Sequence, residues 1–224
     1  MKKLFAAALL GATLLPLSVA SLAHDGPEPL EAAPDESNVD YFWRKSDDAF
    51  HAGDYERAIG CHKAIVALDS GEIESFGVGA WLLWSLGKAD EANAFILRGL
   101  EANPKNPEMW DTAGQHYDLQ KRHDEAKKSY LSAVQLAGKD APQLLRRRLA
   151  HASEKSGDWE LSVNTWRALV ADFPNEAVNK NNLARVEDAA KNAPKTQNTS
   201  ASAAALGAGV FALIGLGVWR RKVN

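Results

Sequence analysis

Residues 107–140 read PEMWDTAGQHYDLQKRHDEAKKSYLSAVQLAGKD. The stretch opens on Asn106-Pro107-Glu108, a capping amide, a proline at the first helical position and an acid in the first turn, which together start a helix. Trp110, Gly114 and Tyr117 fall on one face of that helix, and Ala126, Tyr130 and Ala133 on one face of a second, with a break at Lys121 between them. Two helices this short cannot bury their apolar faces against each other alone.

The same pattern extends outward in both directions. A small residue in the first helix occupies Ser46, Ala80, Gly114 and Ala150; the turn holds Gly53, Gly87, Lys121 and Gly157. A second-helix small slot holds Ala58, Ala92, Ala126 and Ser162, the large residue one turn later is His62, Ile96, Tyr130 and Trp166, and each unit ends at Ser70, Pro104, Gly138 and Pro174. The spacings are 34, 34 and 36, with Ala141-Pro142 absorbing the two extra residues. Small residues belong where helices cross closely, large ones in the gaps beside them, and Gly or Pro where a helix stops.

These columns resemble the tetratricopeptide repeat family. Residues 107–140 carry the resemblance best; Gly53-Asp54-Tyr55 with Ala58-Ile59 carries it in the first unit, and Gly87, Ala92 and Asn103-Pro104 in the second. The fourth has Arg146 where a large apolar residue is usual, then returns to pattern at Gly157-Asp158-Trp159 and Pro174. The resemblance implies an all-α, right-handed superhelical solenoid of about four helix pairs over 39–72, 73–106, 107–140 and 143–176, with a capping helix at 177–193 in which Val178, Leu183, Val186 and Ala190 cover the last apolar face.

Both ends address the chain to a membrane. Lys2 and Lys3 precede an apolar run from Leu4 to Leu17, and Ser21-Leu22-Ala23 offers small residues for cleavage before His24, so residues 1–23 are expected to be a signal peptide. Residues 24–38 hold three prolines and five acids with no base, an expected disordered arm. Residues 194–200 form a polar linker. The run 201–219 carries no charge and at a rise of ~1.5 Å per residue spans ~28 Å, enough to cross a bilayer. Arg220-Arg221-Lys222, in the tail 220–224, marks the cytoplasmic side, which puts the repeats outside a bacterial cytoplasmic membrane on a single-pass anchor. Pro194-Lys195-Thr196-Gln197 before this run also resembles a sortase-type sorting signal, with Ala193 in place of the family's Leu and Gln197 in place of its Gly, so a surface-displayed protein with a processed tail is the alternative.

The 224 residues are 46% hydrophobic and 25% charged, a globular balance. Taking the five basic residues of the leader and tail from the 26 leaves 21 against 29 acids, so the middle carries about −8, which argues against nucleic acid. The single cysteine, Cys61, excludes a disulfide framework, and its neighbour His62 points elsewhere on the helix, so the two do not make a nucleophile and base. No Gly-x-Ser-x-Gly, His-Glu-x-x-His or phosphate-binding glycine loop occurs, and no catalytic residue, cofactor or metal is assigned. A third alternative is an extracytoplasmic copper protein, with His24 at the mature terminus and a second ligand among His51, His62, His116, His123 and His151.

In the family, ligands lie along the face lined by first helices. Steps of i, i+4, i+7 on that face give Trp43, Asp47 and Phe50; then Gly77, Trp81 and Trp84; then Asp111, Gln115 and Asp118; then Arg147, His151 and Glu154. One end of the groove is thus expected to be aromatic and the middle acidic. Aromatic side chains off the core pattern are what a protein-binding surface uses. Family members that grip a C-terminal carboxylate place Lys and Asn on these helices, whereas Asp47, Trp81 and Gln115 stand at comparable places here, so that function is not carried over. The expected protein is a non-enzymatic scaffold that holds protein or extended-peptide partners at a membrane surface for envelope assembly.

Overall fold

The computed structural model describes residues 35–193. The expected signal peptide, most of the acidic arm, the polar linker, the membrane span at 201–219 and the basic tail lie outside the described residues. Among the described residues there are nine α-helices and no strand: α1 (Asn38–His51), α2 (Tyr55–Leu68), α3 (Ile73–Ser85), α4 (Ala89–Ala102), α5 (Pro107–Leu119), α6 (His123–Ala137), α7 (Gln143–Lys155), α8 (Trp159–Asp172) and α9 (Ala177–Asn192), with a 3₁₀ turn at Gly138–Asp140. No helix among them is long and apolar enough to cross a membrane. Each odd helix packs against the even helix that follows it, and α3, α5, α7 and α9 dock in turn on the pair before them.

Local chemistry sets the boundaries. Ser37, Asp54, Asn106 and Asp158 each accept a hydrogen bond from a first-turn amide of the helix they precede, at Asp40, Arg57, Glu108 and Leu161. Within each pair the turn closes in the same way. Gly53 N–H donates to Phe50 C=O at 3.0 Å and Asp54 N–H to Ala49 C=O at 2.8 Å; the bonds recur at Gly87 and Lys88, Lys121 and Arg122, and Gly157 and Asp158. This closure needs a left-handed residue, with φ of 76°, 77°, 60° and 78° at Gly53, Gly87, Lys121 and Gly157. Lys121 is the one non-glycine with positive φ among the described residues.

The repeat columns form the interior. Ala58, Ala92, Ala126 and Ser162 are fully buried, and His62, Ile96, Tyr130 and Trp166 are at most 2% exposed. Contact is closest in the third unit, where a Cβ added to Gly114 would sit 2.5 Å from the Tyr130 ring. A continuous cluster joins α1 through α7 by way of Phe76, Leu83, Ile96, Met109 and Tyr130. A smaller one, around Ala150, Val163, Trp166, Leu169 and Val186, ties α8 and α9 to α7. Each large side chain so buried contributes about 1.5–3 kcal/mol of transfer free energy.

Three local details differ from the sequence expectation. The last residues of the acidic arm are held, because Glu36 takes two hydrogen bonds from Arg44, at 2.9 and 2.8 Å, and Ser37 caps α1. In α9 the buried face runs through Asn179, Leu183, Val186 and Ala190, while Val178 is half exposed. Asn179 takes the inner place because its amide donates to Leu169 C=O at 3.4 Å and its oxygen accepts from Arg147 Nε at 2.9 Å. Arg146 fills the apolar slot of the fourth unit by pairing with Asp172 at 2.7 Å and laying its guanidinium 6.0 Å from the Phe173 ring centre.

The first unit builds its small-to-large contact from polar groups. His62 lies between two serine hydroxyls, with Ser46 Oγ 2.9 Å from Nε2 and Ser75 Oγ 2.9 Å from Nδ1, so one imidazole links α1, α2 and α3. Burial pushes the His62 pKa down to about 4, and burial together with the Arg122 charge pushes that of His116 to about 4 as well. Cys61 beside it is buried, and burial raises its thiol pKa.

Lys121→Gly should raise stability by about 0.5–1 kcal/mol, because removing the Cβ relieves the left-handed strain by more than the added chain entropy costs; the urea midpoint reads it, with Gly87→Lys as the mirror experiment that lowers it. Histidine in the unfolded chain takes its proton near pH 6.5, so between pH 6.5 and about 4 the unfolded state binds more protons and stability present above pH 6.5 drains away. The urea midpoint should therefore fall from pH 7 to pH 5, and fall less in His62→Gln, whose amide bonds both serines without titrating; an equal fall in the two proteins would remove His62 from the account.

Candidate functional site

The face formed by first helices carries a continuous trough. Its first part is walled by Trp43, Ser46, Asp47 and Phe50 of α1 with His62 at its base and Val78, Trp81 and Leu82 of α3 opposite. Its second part runs between Glu74, Gly77, Val78 and Trp81 of α3 and Glu108, Thr112, Gln115, His116 and Leu119 of α5. Val78 and Trp81 belong to both, so the two depressions, of about 280 and 450 Å³, meet at Trp81.

Aromatic groups set the character of the first part. Phe50 is 38% and Trp81 43% exposed, although both are large apolar side chains on a helix that has a buried face available. Their ring centres lie 6.2 Å apart, and Tyr55, at 5.6 Å from Phe50, extends the patch onto α2. Trp43 stands edge-on to His62 at 5.0 Å and aims its Nε1 at Glu72 Oε2, 3.4 Å away. At Gly77 an added Cβ would meet the Thr112 methyl at 3.1 Å, so the glycine lets α3 and α5 approach and leaves the floor between them open. Trp84, expected on this face, instead lies half-buried against the main core.

The acidic stretch of the expected groove is neutralised within the fold. Asp111 pairs with Arg148 of α7, and Asp118 with Lys155 of α7 at 2.8 Å and with His123 at 3.1 Å. Desolvation raises the Asp111 pKa and the Arg148 guanidinium opposes it. Arg147 reaches Asn179 at 2.9 Å and Glu176 at 3.3 Å. Glu154 binds both terminal nitrogens of Arg185, which holds its carboxyl below the usual range. His151 stacks edge-on against Trp166 at 5.0 Å, and burial lowers its pKa. The ten expected site residues therefore divide: Trp43, Asp47, Phe50, Trp81 and Gln115 share the trough, Trp84 packs on the core, and Asp111, Asp118, Arg147 and His151 sit in contacts that join α5, α7, α8 and α9. Sequence spacing missed Val78, Thr112, His116 and Leu119, which follow from the same i, i+4 rows shifted by one position.

This arrangement can bind and orient a ligand chain. Among the described residues no three His, Cys, Asp or Glu side chains gather as metal ligands; His24 lies outside them.

The sequence profile of the tetratricopeptide repeat family matches residues 107–140. No curated protein matches the sequence. Among solved structures, the chain is similar to one in the structure of Naa15/Naa10 bound to HypK-THB, with 22% identity and a TM-score of 0.54 over 70% of this chain and 23% of that one, so it spans under a quarter of that protein's length. It is also similar to MamA, with 12% identity and a TM-score of 0.52 over 67% of this chain and 81% of the other. The MamA fragment 41-end from Desulfovibrio magneticus RS-1 gives 17% identity and a TM-score of 0.52 over 70% and 89%. The chain thus holds a tetratricopeptide repeat at residues 107–140 inside a helical solenoid whose fold is similar to that of MamA.

Proposed function

We propose that the chain is a non-enzymatic scaffold that binds protein partners, or extended segments of them, in the trough between α1, α3 and α5. The observation that carries this reading is the pair of exposed aromatic rings, Phe50 and Trp81, lining a continuous trough on the face of first helices. Large rigid rings that stay outside the core in the free protein bury much area on binding at little entropy cost. The Naa15/Naa10 structure, which contains a similar fold, is described as bound to HypK-THB.

The scaffold works outside the bacterial cytoplasmic membrane, held there by the uncharged run 201–219 after removal of residues 1–23, and it serves assembly of the cell envelope. Support for the location comes from the leader, the uncharged run and the basic tail. Tethering adds to binding by mass action, because confinement at one surface raises the effective concentration of both partners without any new contact.

Phe50→Ala with Trp81→Ala should remove the partner from proximity labelling in the native cell while the helical circular-dichroism signal stays, since both side chains are more than a third exposed; unchanged labelling rejects the trough. Mass spectrometry of the mature protein should find a membrane-bound chain that starts at His24 and ends at Asn224. A chain cut within 194–200 and joined to the cell wall would reject the anchor in favour of surface sorting.

A further inference from the structure

The trough has an acidic lining. Three carboxylates line it, Asp47, Glu74 and Glu108, and none of its lining residues is Lys or Arg. Asp47 has a weak partner in His51, 3.4 Å away and exposed, whereas Glu74 and Glu108 stand exposed on the two walls with no ion pair to either among the described residues. Its two histidines, His62 and His116, are buried and neutral. Farther along the same face the carboxylates of Asp111, Asp118 and Glu154 each have an Arg or Lys from the next first-position helix. The fold thus supplies Arg or Lys partners to the acids of one half of the face, whereas among the described residues Asp47, Glu74 and Glu108 of the aromatic half have none. Exposed indole and phenyl faces attract cations as well, through the ring quadrupole.

We propose that the trough takes an extended cationic–apolar peptide segment of a partner protein: a bulky apolar residue seated on Phe50, Val78 and Trp81, flanked by Lys or Arg facing Glu74 and Glu108. The proposal rests on the trough being the binding site and adds the chemistry of its occupant. The chain's own arm at 24–38 is unsuited to the place, because its five acids would face the three carboxylates. The segment is short, since the open part of the face ends where Asp111 and Arg148 close it.

The test is to pan the full chain, in detergent, against a displayed library of randomised linear peptides, and then to measure the resynthesised binders by fluorescence polarisation at low and high salt. Selected sequences should combine an aromatic or aliphatic residue with Lys or Arg. Trp81→Ala should weaken them roughly tenfold or more, and Gly77→Leu, which crowds the Thr112 methyl and fills the floor of the trough, should do the same while the helical circular-dichroism signal and urea midpoint stay near those of the parent. Glu74→Gln with Glu108→Gln should weaken them about three- to tenfold and flatten the salt dependence. Neutral or acidic binders that still lose affinity in Trp81→Ala would overturn the cationic assignment and leave the trough as the site. Binders indifferent to both Trp81→Ala and Gly77→Leu, or no binders at all, would overturn the trough itself.

Discussion

Everything in this molecule depends on close crossing between helices that cannot shield their apolar sides alone. The small residues at Ser46, Ala80, Gly114 and Ala150 bring each first helix near its second, and Ala58, Ala92, Ala126 and Ser162 do so from the other side. Each such crossing leaves a gap that one large side chain fills. The filling is matched unit by unit: the smallest residue, Gly114, faces the Tyr130 ring, while Ser46 faces an imidazole and bonds to it. Because protein interiors are close-packed, units with matched small and large residues share one geometry even where their chemistry differs.

That constraint explains what was legible in the sequence. Residues of one size class recurring in register mark the crossings, so the helices, their turns and the buried columns could be read from spacing. Lys121 kept its place in the turn column because position outweighs residue type there; its backbone makes the same two bonds as the glycines. Legibility ended where a contact joined helices far apart in sequence. The pairs Asp111–Arg148 and Asp118–Lys155 span 37 residues, and helical periodicity shows which face a side chain takes without showing what stands opposite. The acids therefore looked available when counted along one helix. Val178 and Asn179 show the same limit: hydrophobicity favoured the valine for the inner face, but hydrogen bonds from Arg147 and to Leu169 bring the amide inside.

The same distinction separates internally paired charge from exposed aromatic surface on the face of first helices. In the later units, charge on the first helices serves to hold α5, α7 and α9 together. In the earlier units the corresponding helices are joined by apolar packing together with the Ser46–His62–Ser75 hydrogen bonds, and Glu74 and Glu108 have no ion-pair partner among the described residues. A repeat protein can specialise in this way because each unit contacts only its neighbours, so cohesion and recognition can be assigned to different units.

The two-part core has a mechanical meaning. Any tension entering the array from beyond residue 193 reaches α9 first, and α9 is fastened through the smaller cluster around Trp166, Leu169 and Val186. Peeling would begin there and proceed unit by unit, so the aromatic end, built on the larger cluster from α1 to α7, is the last to feel the load. A pull on the C-terminal end of α9 would thus undo the last fastening before it disturbed the first units.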